Sequence, residues 1–210
     1  MPIKATPYEH QKKAFAFACD KFGVFDNQLK SRGTALLMEM GTGKTIVSIA
    51  ISGCMYQYGK INRVLVVAPL SILGVWEEEF EKFADFPYSL TVLKGTAAKK
   101  KKQLTKLPGK GLQIVVVNYE SAWRLEKELI TYNADLVITD EAHKLKENRS
   151  KQSQGMQHIG DKARYKLLLT GTVITNRELD VFSQYRFLNP HIFGTSFYAF
   201  RNQYFDMGGY

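Results

Sequence analysis

Three short segments of this sequence carry residues whose types and spacing suit phosphate chemistry. The first is Glu39-Met40-Gly41-Thr42-Gly43-Lys44-Thr45, between the apolar stretch Thr34 to Met38 and a run beginning IVSIAIS. Glycines at 41 and 43 let the backbone curl so that its N–H groups face phosphate oxygens, and a helix N-terminus just beyond favours an anion. Lys44 is then expected to reach the terminal phosphates, and Thr45 to give Mg²⁺ a hydroxyl ligand. The general phosphate-loop pattern also places a glycine where this chain has Met38.

The second segment, Asp140-Glu141-Ala142-His143, closes the apolar stretch Leu136 to Thr139. Its carboxylates have different expected tasks: Asp140 holds the metal through its water shell, and Glu141 polarises the water that attacks the γ-phosphate. The third segment ends another apolar stretch with Thr170, Gly171 and Thr172, whose hydroxyls are suited to sensing that phosphate. Taken singly, the three read as a glycine turn before a core helix, a solvated acidic turn and a Thr/Gly strand end. Taken together they point to ATP and Mg²⁺.

These segments need a scaffold that brings distant residues to one place. Short apolar, β-branched stretches predict strands at Thr34–Met38, Arg63–Ala68, Leu90–Leu93, Gln113–Val117, Leu136–Thr139 and Tyr165–Leu169. Amphipathic stretches between them predict helices over Lys44–Tyr58, Ile72–Phe83, Ser121–Ile130, Lys151–Ile159 and Glu178–Leu188. Thr6-Pro7-Tyr8-Glu9 reads as a helix start with Thr6 as cap, opening a helix to about Lys21. Strand and helix in alternation imply an α/β fold, a parallel sheet with helices on both faces. Open sheets of this kind bind ligands at the carboxyl ends of their strands, where all three segments fall.

The remaining features set bounds. At 210 residues and 45% hydrophobic, the chain is sized for one domain. It shows no apolar run near the roughly 20 residues that span a bilayer and no signal-peptide core, so a cytoplasmic location and no membrane partner are expected, or a nuclear one in a eukaryote. Cys19 and Cys54 lack metal-ligand spacing and are expected to be reduced, packed thiols. A formal charge of +9 favours a polyanionic partner, and Lys99 to Lys102, in a short helix before a surface turn, read either as electrostatic grip or as a solvated face. The stretch Asn189 to Tyr210 is aromatic and aperiodic, as though meant to pack on something absent.

The segments together resemble helicase superfamily two, and within it the Swi/Snf-like ATPases, bacterial and phage members included, across essentially the whole chain. Tyr8-Glu9-His10-Gln11 is similar to the family's N-terminal glutamine motif, MEMGTGKT to motif I, VVAPLSILGVWEEEF to motif Ia, VVVNYES to motif Ib, DEAHKLKENRS to motif II and LTGTVITNRELD to motif III. Departures are Thr42, where Leu is usual, and Val173, where Pro is usual.

The resemblance implies a RecA-like P-loop NTPase lobe over residues 1–188, with 189–210 beginning a linker or protrusion toward a second RecA-like lobe. It implies nucleotide contacts from Tyr8, Gln11 (to adenine), Met40, Gly41, Thr42, Gly43, Lys44 and Thr45. Coupling falls to His143, Thr170, Gly171 and Thr172. Pro69, Leu70, Ser71, Asn118 and Tyr119 are implied to hold the backbone of double-stranded DNA, on the face opposite the nucleotide loops. The second lobe would supply arginines worth about 10³- to 10⁵-fold in rate, so this lobe alone is expected to be nearly inactive. The implied function is an ATP-dependent double-stranded-DNA translocase. A strand-separating DNA or RNA helicase and a non-catalytic nucleotide- or DNA-binding module stay open as alternatives.

Overall fold

The computed structural model describes residues 1–172 and 178–205. Among these the elements follow as α1 (Glu9–Lys21), β1 (Gly33–Leu37), α2 (Lys44–Gln57), β2 (Arg63–Ala68), α3 (Leu73–Phe83), β3 (Tyr88–Val92), α4 (Ala97–Leu104) and β4 (Leu112–Asn118). Then come α5 (Tyr119–Arg124), α6 (Glu126–Tyr132), β5 (Leu136–Thr139), α7 (Lys151–Lys162), β6 (Tyr165–Thr170), α8 (Val181–Leu188), α9 (Pro190–Phe193) and α10 (Phe197–Tyr204). The strands form one sheet in the order β1-β6-β5-β2-β4-β3, with every neighbouring pair parallel.

The continuous apolar strands follow from burial on both faces. Along β2, Val64, Val66 and Ala68 pack into one cluster with Phe15 of α1, Val47 of α2 and Trp76 of α3. Leu65 and Val67 point the other way, to Ala122 of α5, Leu129 of α6, Met156 of α7 and Phe187 of α8. A strand covered on both sides has no polar face to show. Helix α2 is buried through most of its length, and its Ser48 and Ser52 hydroxyls each donate to the carbonyl four residues back, at 2.8 Å. That is how a serine is accommodated in a dry helix. Between α7 and α8, Arg186 donates to both oxygens of Asp161 at 2.8 Å, and this bond holds the Asp161 carboxyl below its usual range. Both cysteines are free and buried. Among the described residues no helix is long and apolar enough to cross a membrane.

Four expectations change. Helix α1 starts at Glu9 with Tyr8, not Thr6, at the cap position, because the Gln11 side chain accepts from the Tyr8 N–H at 2.9 Å. The helix expected over 121–130 is two, α5 and α6, meeting at Leu125, whose ψ of 20° interrupts the turn. The stretch after Asn189 is helical in α9 and α10 and packs on the lobe itself: Phe200 is 2% exposed, with its ring 5.2 Å from Phe182 of α8 and 4.8 Å from Phe193. The helix expected from Glu178 begins as a 3₁₀ turn before α8.

Candidate functional site

Because all six strands run the same way, every loop that follows one leaves from the same rim. In the sheet order only β6 separates β1 from β5, so the loops after those two strands are two strand spacings apart, roughly 10 Å. The glycine loop follows β1, and the acidic pair follows β5.

In the glycine loop, Gly41 has φ 78° and Gly43 φ 84°, the left-handed region that a Cβ disfavours. A Cβ at 43 would also stand 2.5 Å from Gln11 Nε2. The turn delivers the chain into α2, whose first N–H groups have no partner within the helix and face outward at its positive end. The Lys44 ammonium donates to Met38 O at 3.1 Å and Glu39 O at 3.2 Å, so it lies back over the loop.

Asp140 is 5% exposed and held from several sides. Its Oδ2 accepts the Trp76 indole N–H at 3.0 Å, and its Oδ1 accepts the Glu141 N–H at 2.9 Å. Burial pushes the Asp140 carboxyl above its ordinary value, against the Trp76 bond, with the Glu141 charge adding to the rise and the Lys44 ammonium opposing it. A buried carboxylate raised this way gains most from a cation set against it. Glu141 takes a left-handed conformation, φ 50°, and its Oε2 is 3.2 Å from His143 Nδ1. Among the described residues no three His, Cys, Asp or Glu could hold a metal together. A cation between Thr45 and Asp140 would therefore draw on phosphate and water oxygens, a donor set that suits Mg²⁺.

The N-terminal segment closes one side. Gln11 and His10 both reach Thr42 O, at 3.1 Å from Gln11 Nε2 and 2.9 Å from His10 Nε2, and so hold the glycine loop from α1. With its Oε1 on the Tyr8 N–H, the Gln11 amide keeps one N–H and one lone pair for a ligand. Tyr8 is exposed, and its ring stacks on His10 with centroids 5.8 Å apart. Met40 stands exposed on the loop itself.

The segment after β6 backs onto the loop from the other side. Met38 N donates to Thr170 O at 3.2 Å, and a Cβ on Gly171 would come 3.3 Å from Met38 O. Thr170 is buried, its hydroxyl donating to Thr172 O at 2.7 Å. The departure at Val173 lies outside the described residues.

Farther along the same rim, the loops after β2 and β4 border a groove of about 520 Å³ lined by Leu70, Lys94, Lys100, Asn118, Ser121 and Arg124. Leu70 and Ser71 are exposed, Pro69 is half-buried, and Asn118 is buried with its Oδ1 unpartnered among the described residues. Two expectations need correction. These segments share the nucleotide loops' rim and do not occupy an opposite face, since parallel strands all end on one side. Tyr119 is 4% exposed and donates its hydroxyl to Asp140 O at 2.7 Å, so its side chain faces the acidic pair and not a bound polyanion. A second cleft of about 520 Å³, lined by Arg63, Gln113 and Tyr132 among others, opens at the strand starts, away from this chemistry.

The lysine run divides. Successive helix residues point about 100° apart, and accordingly Lys100 reaches Ser121 Oγ at 2.5 Å beside the groove, Lys101 pairs with Glu128 at 2.5 Å, and Lys99 and Lys102 border another opening with Thr91. Sequence reasoning missed His10, Trp76 and the inward role of Tyr119. Each stands inside a motif string the sequence singles out, but only the sheet order shows what it touches.

The SNF2-related domain family matches residues 10–207. The chain is 30% identical over 200 residues to "Switch 2" of Arabidopsis thaliana, covering 89% of this chain and 22% of that protein. It is 28% identical over 202 residues to "DNA repair and recombination protein RAD54-like" of Drosophila ananassae, covering 90% and 24%. Among solved structures, "Sulfolobus solfataricus SWI2/SNF2 ATPase core in complex with dsDNA" is similar with a TM-score of 0.79 and 28% identity, covering 98% of this chain and 42% of that one. The chain thus spans about a quarter of these curated relatives and less than half of that core.

Proposed function

The chain belongs to the SNF2-related family, and on that premise we propose that it is the N-terminal, ATP-binding lobe of a motor that couples ATP hydrolysis to movement along double-stranded DNA. The observation that carries the reading is the single rim on which the glycine loop after β1 and the buried Asp140 after β5 stand with only β6 between their strands. Gly41 and Gly43 shape the loop around the phosphates, Lys44 swings from its own loop carbonyls to their oxygens, and Thr45 and Asp140 hold Mg²⁺. Mg²⁺ held there would supply positive charge against the phosphates. Glu141 accepts the proton of the attacking water, and His143, beside it, steadies the carboxylate. Tyr8 and Gln11 take the adenine end. Thr170, Gly171 and Thr172 report the state of the γ-phosphate. The chain beyond Asn189 leads toward a second lobe, without which turnover is slow.

The groove of Leu70, Lys100, Asn118 and Ser121 takes the DNA phosphate backbone, and Pro69 and Ser71, on either side of Leu70 in the chain, add to the contact. Backbone contacts carry no sequence information, which suits a motor stepping along any duplex. The test is ATP hydrolysis by the full-length protein with duplex DNA, single-stranded DNA and RNA. Duplex is expected to stimulate most, with no strand displacement. Preferential stimulation by single strands together with unwinding would establish a helicase instead, and no hydrolysis under any condition would leave a binding module.

The division of the lysine run gives a second expected result. Each phosphate contact contributes about 0.9 to the slope of log K against log salt. Lys100→Ala should flatten that slope for duplex DNA by about this amount, while Lys101→Ala, which removes only the partner of Glu128, should leave it in place. Salt titrations of DNA binding by the two full-length variants check this.

A further inference from the structure

Asp140 is gripped, once at its carboxylate and once at its main-chain carbonyl, by two side chains that come from the segments bordering the groove. Trp76 lies on α3, whose approach from β2 carries Leu70, and its indole N–H donates to Asp140 Oδ2 at 3.0 Å. Tyr119 opens α5 between Asn118 and Ser121, and its hydroxyl donates to Asp140 O at 2.7 Å. Both rings are buried, at 1% and 4% exposure, so neither has water as an alternative partner. With Glu141 N–H on Oδ1 at 2.9 Å, both carboxylate oxygens are engaged and the carboxylate plane is fixed. An ionised carboxylate has about four lone-pair sites. The donors leave the others free and so set the direction from which a cation can approach.

We propose that Trp76 and Tyr119 are positioning residues that fix Asp140 for its metal and tie that geometry to occupancy of the groove. This rests on the reading of the rim as a Mg·ATP site beside a duplex-binding groove. A polyanion that draws the loops after β2 and β4 inward shifts α3 and α5, and each carries a donor bonded to Asp140. Trp76 acts on the carboxylate itself, so its loss should appear in the metal requirement. Tyr119 acts on the main chain of the same residue, so its loss should appear in the response to DNA. Lateral supports of a metal ligand typically cost about 10- to 100-fold in metal affinity or activity when removed.

The experiment uses the full-length protein with Trp76→Phe and, separately, Tyr119→Phe, which removes one hydroxyl from an otherwise unchanged ring. Steady-state ATP hydrolysis is followed against Mg²⁺ concentration, with and without saturating duplex DNA, beside ADP binding without Mg²⁺ and a thermal melt. Trp76→Phe is expected to raise half-saturating Mg²⁺ about tenfold with Mg²⁺-free ADP affinity unchanged, a split that loosened packing would not produce. Tyr119→Phe is expected to lower the ratio of DNA-stimulated to unstimulated turnover about fivefold. Should Trp76→Phe unfold, the Tyr119→Phe ratio decides alone. Wild-type Mg²⁺ dependence and stimulation in folded variants would overturn the proposal while leaving the motor reading intact. A wild-type protein without Mg²⁺-dependent, duplex-stimulated hydrolysis would overturn both.

Discussion

Glu141→Gln in the full-length protein is expected to lower kcat for ATP hydrolysis by about 10²- to 10⁴-fold, the range associated with losing a general base, while Mg·ATP still binds. The amide has nearly the same shape but cannot take the proton of the attacking water. In the proposed site, binding is expected to rest on other groups: the turn at Gly41 and Gly43, the Lys44 ammonium, the Thr45 hydroxyl and Asp140. The local backbone points to the same role. Glu141 is not a glycine, yet it sits at φ 50°, a conformation that costs about 1–3 kcal/mol and persists only where the surroundings impose it. Its N–H on Asp140 Oδ1 is one such constraint, and it turns the side chain toward His143. Single-turnover hydrolysis with equilibrium nucleotide binding separates the two effects. A variant that turns over at the wild-type rate would remove Glu141 from the chemistry.

Lys44→Ala is expected to fail one step earlier, at binding. A lysine that meets phosphate in a partly buried site is a charge pair whose truncation costs about 2–5 kcal/mol, or roughly 30- to 4,000-fold in Kd at about 1.4 kcal/mol per decade. The same ammonium spans Met38 O and Glu39 O, so its removal also loosens the loop before any ligand arrives. Both consequences act in one direction. Isothermal titration of ATP in the presence of Mg²⁺ measures the loss, and an affinity within a few-fold of wild type would place the phosphates elsewhere.

The parts of this fold that the sequence made legible are those dictated by burial. β2 and β5 run over the residues their apolar runs indicate, because RVLVVA and LVIT are covered on both faces and are followed at once by Pro69 and Asp140. The break at Leu125 was not legible, since Leu125 is itself buried and continues the apolar pattern across the kink. Helices α9 and α10 were missed for a related reason: their aromatics are placed by contacts with Phe182 and with each other, which leave no helical period in the sequence.

The glycine loop and the acidic pair stand out in the sequence because each follows an apolar strand, and the sheet order brings both to one rim. The supports of Asp140 do not stand out. Trp76 and Tyr119 lie 64 and 21 residues before it, and only the order β5-β2-β4 puts all three at one place. The same order moves the duplex-binding candidates from an opposite face to the neighbouring stretch of one rim.

The proposed function requires one bound triphosphate to be served from two sides, by the loop after β1 and by the carboxylates after β5. Its most direct measurement is a Mg·ATP titration carried out in parallel on the wild-type, Lys44→Ala and Glu141→Gln proteins at full length. Matching affinities are expected for wild type and Glu141→Gln, with a collapse for Lys44→Ala. Wild-type affinity in Lys44→Ala, or an equal loss of binding in both variants, would contradict it.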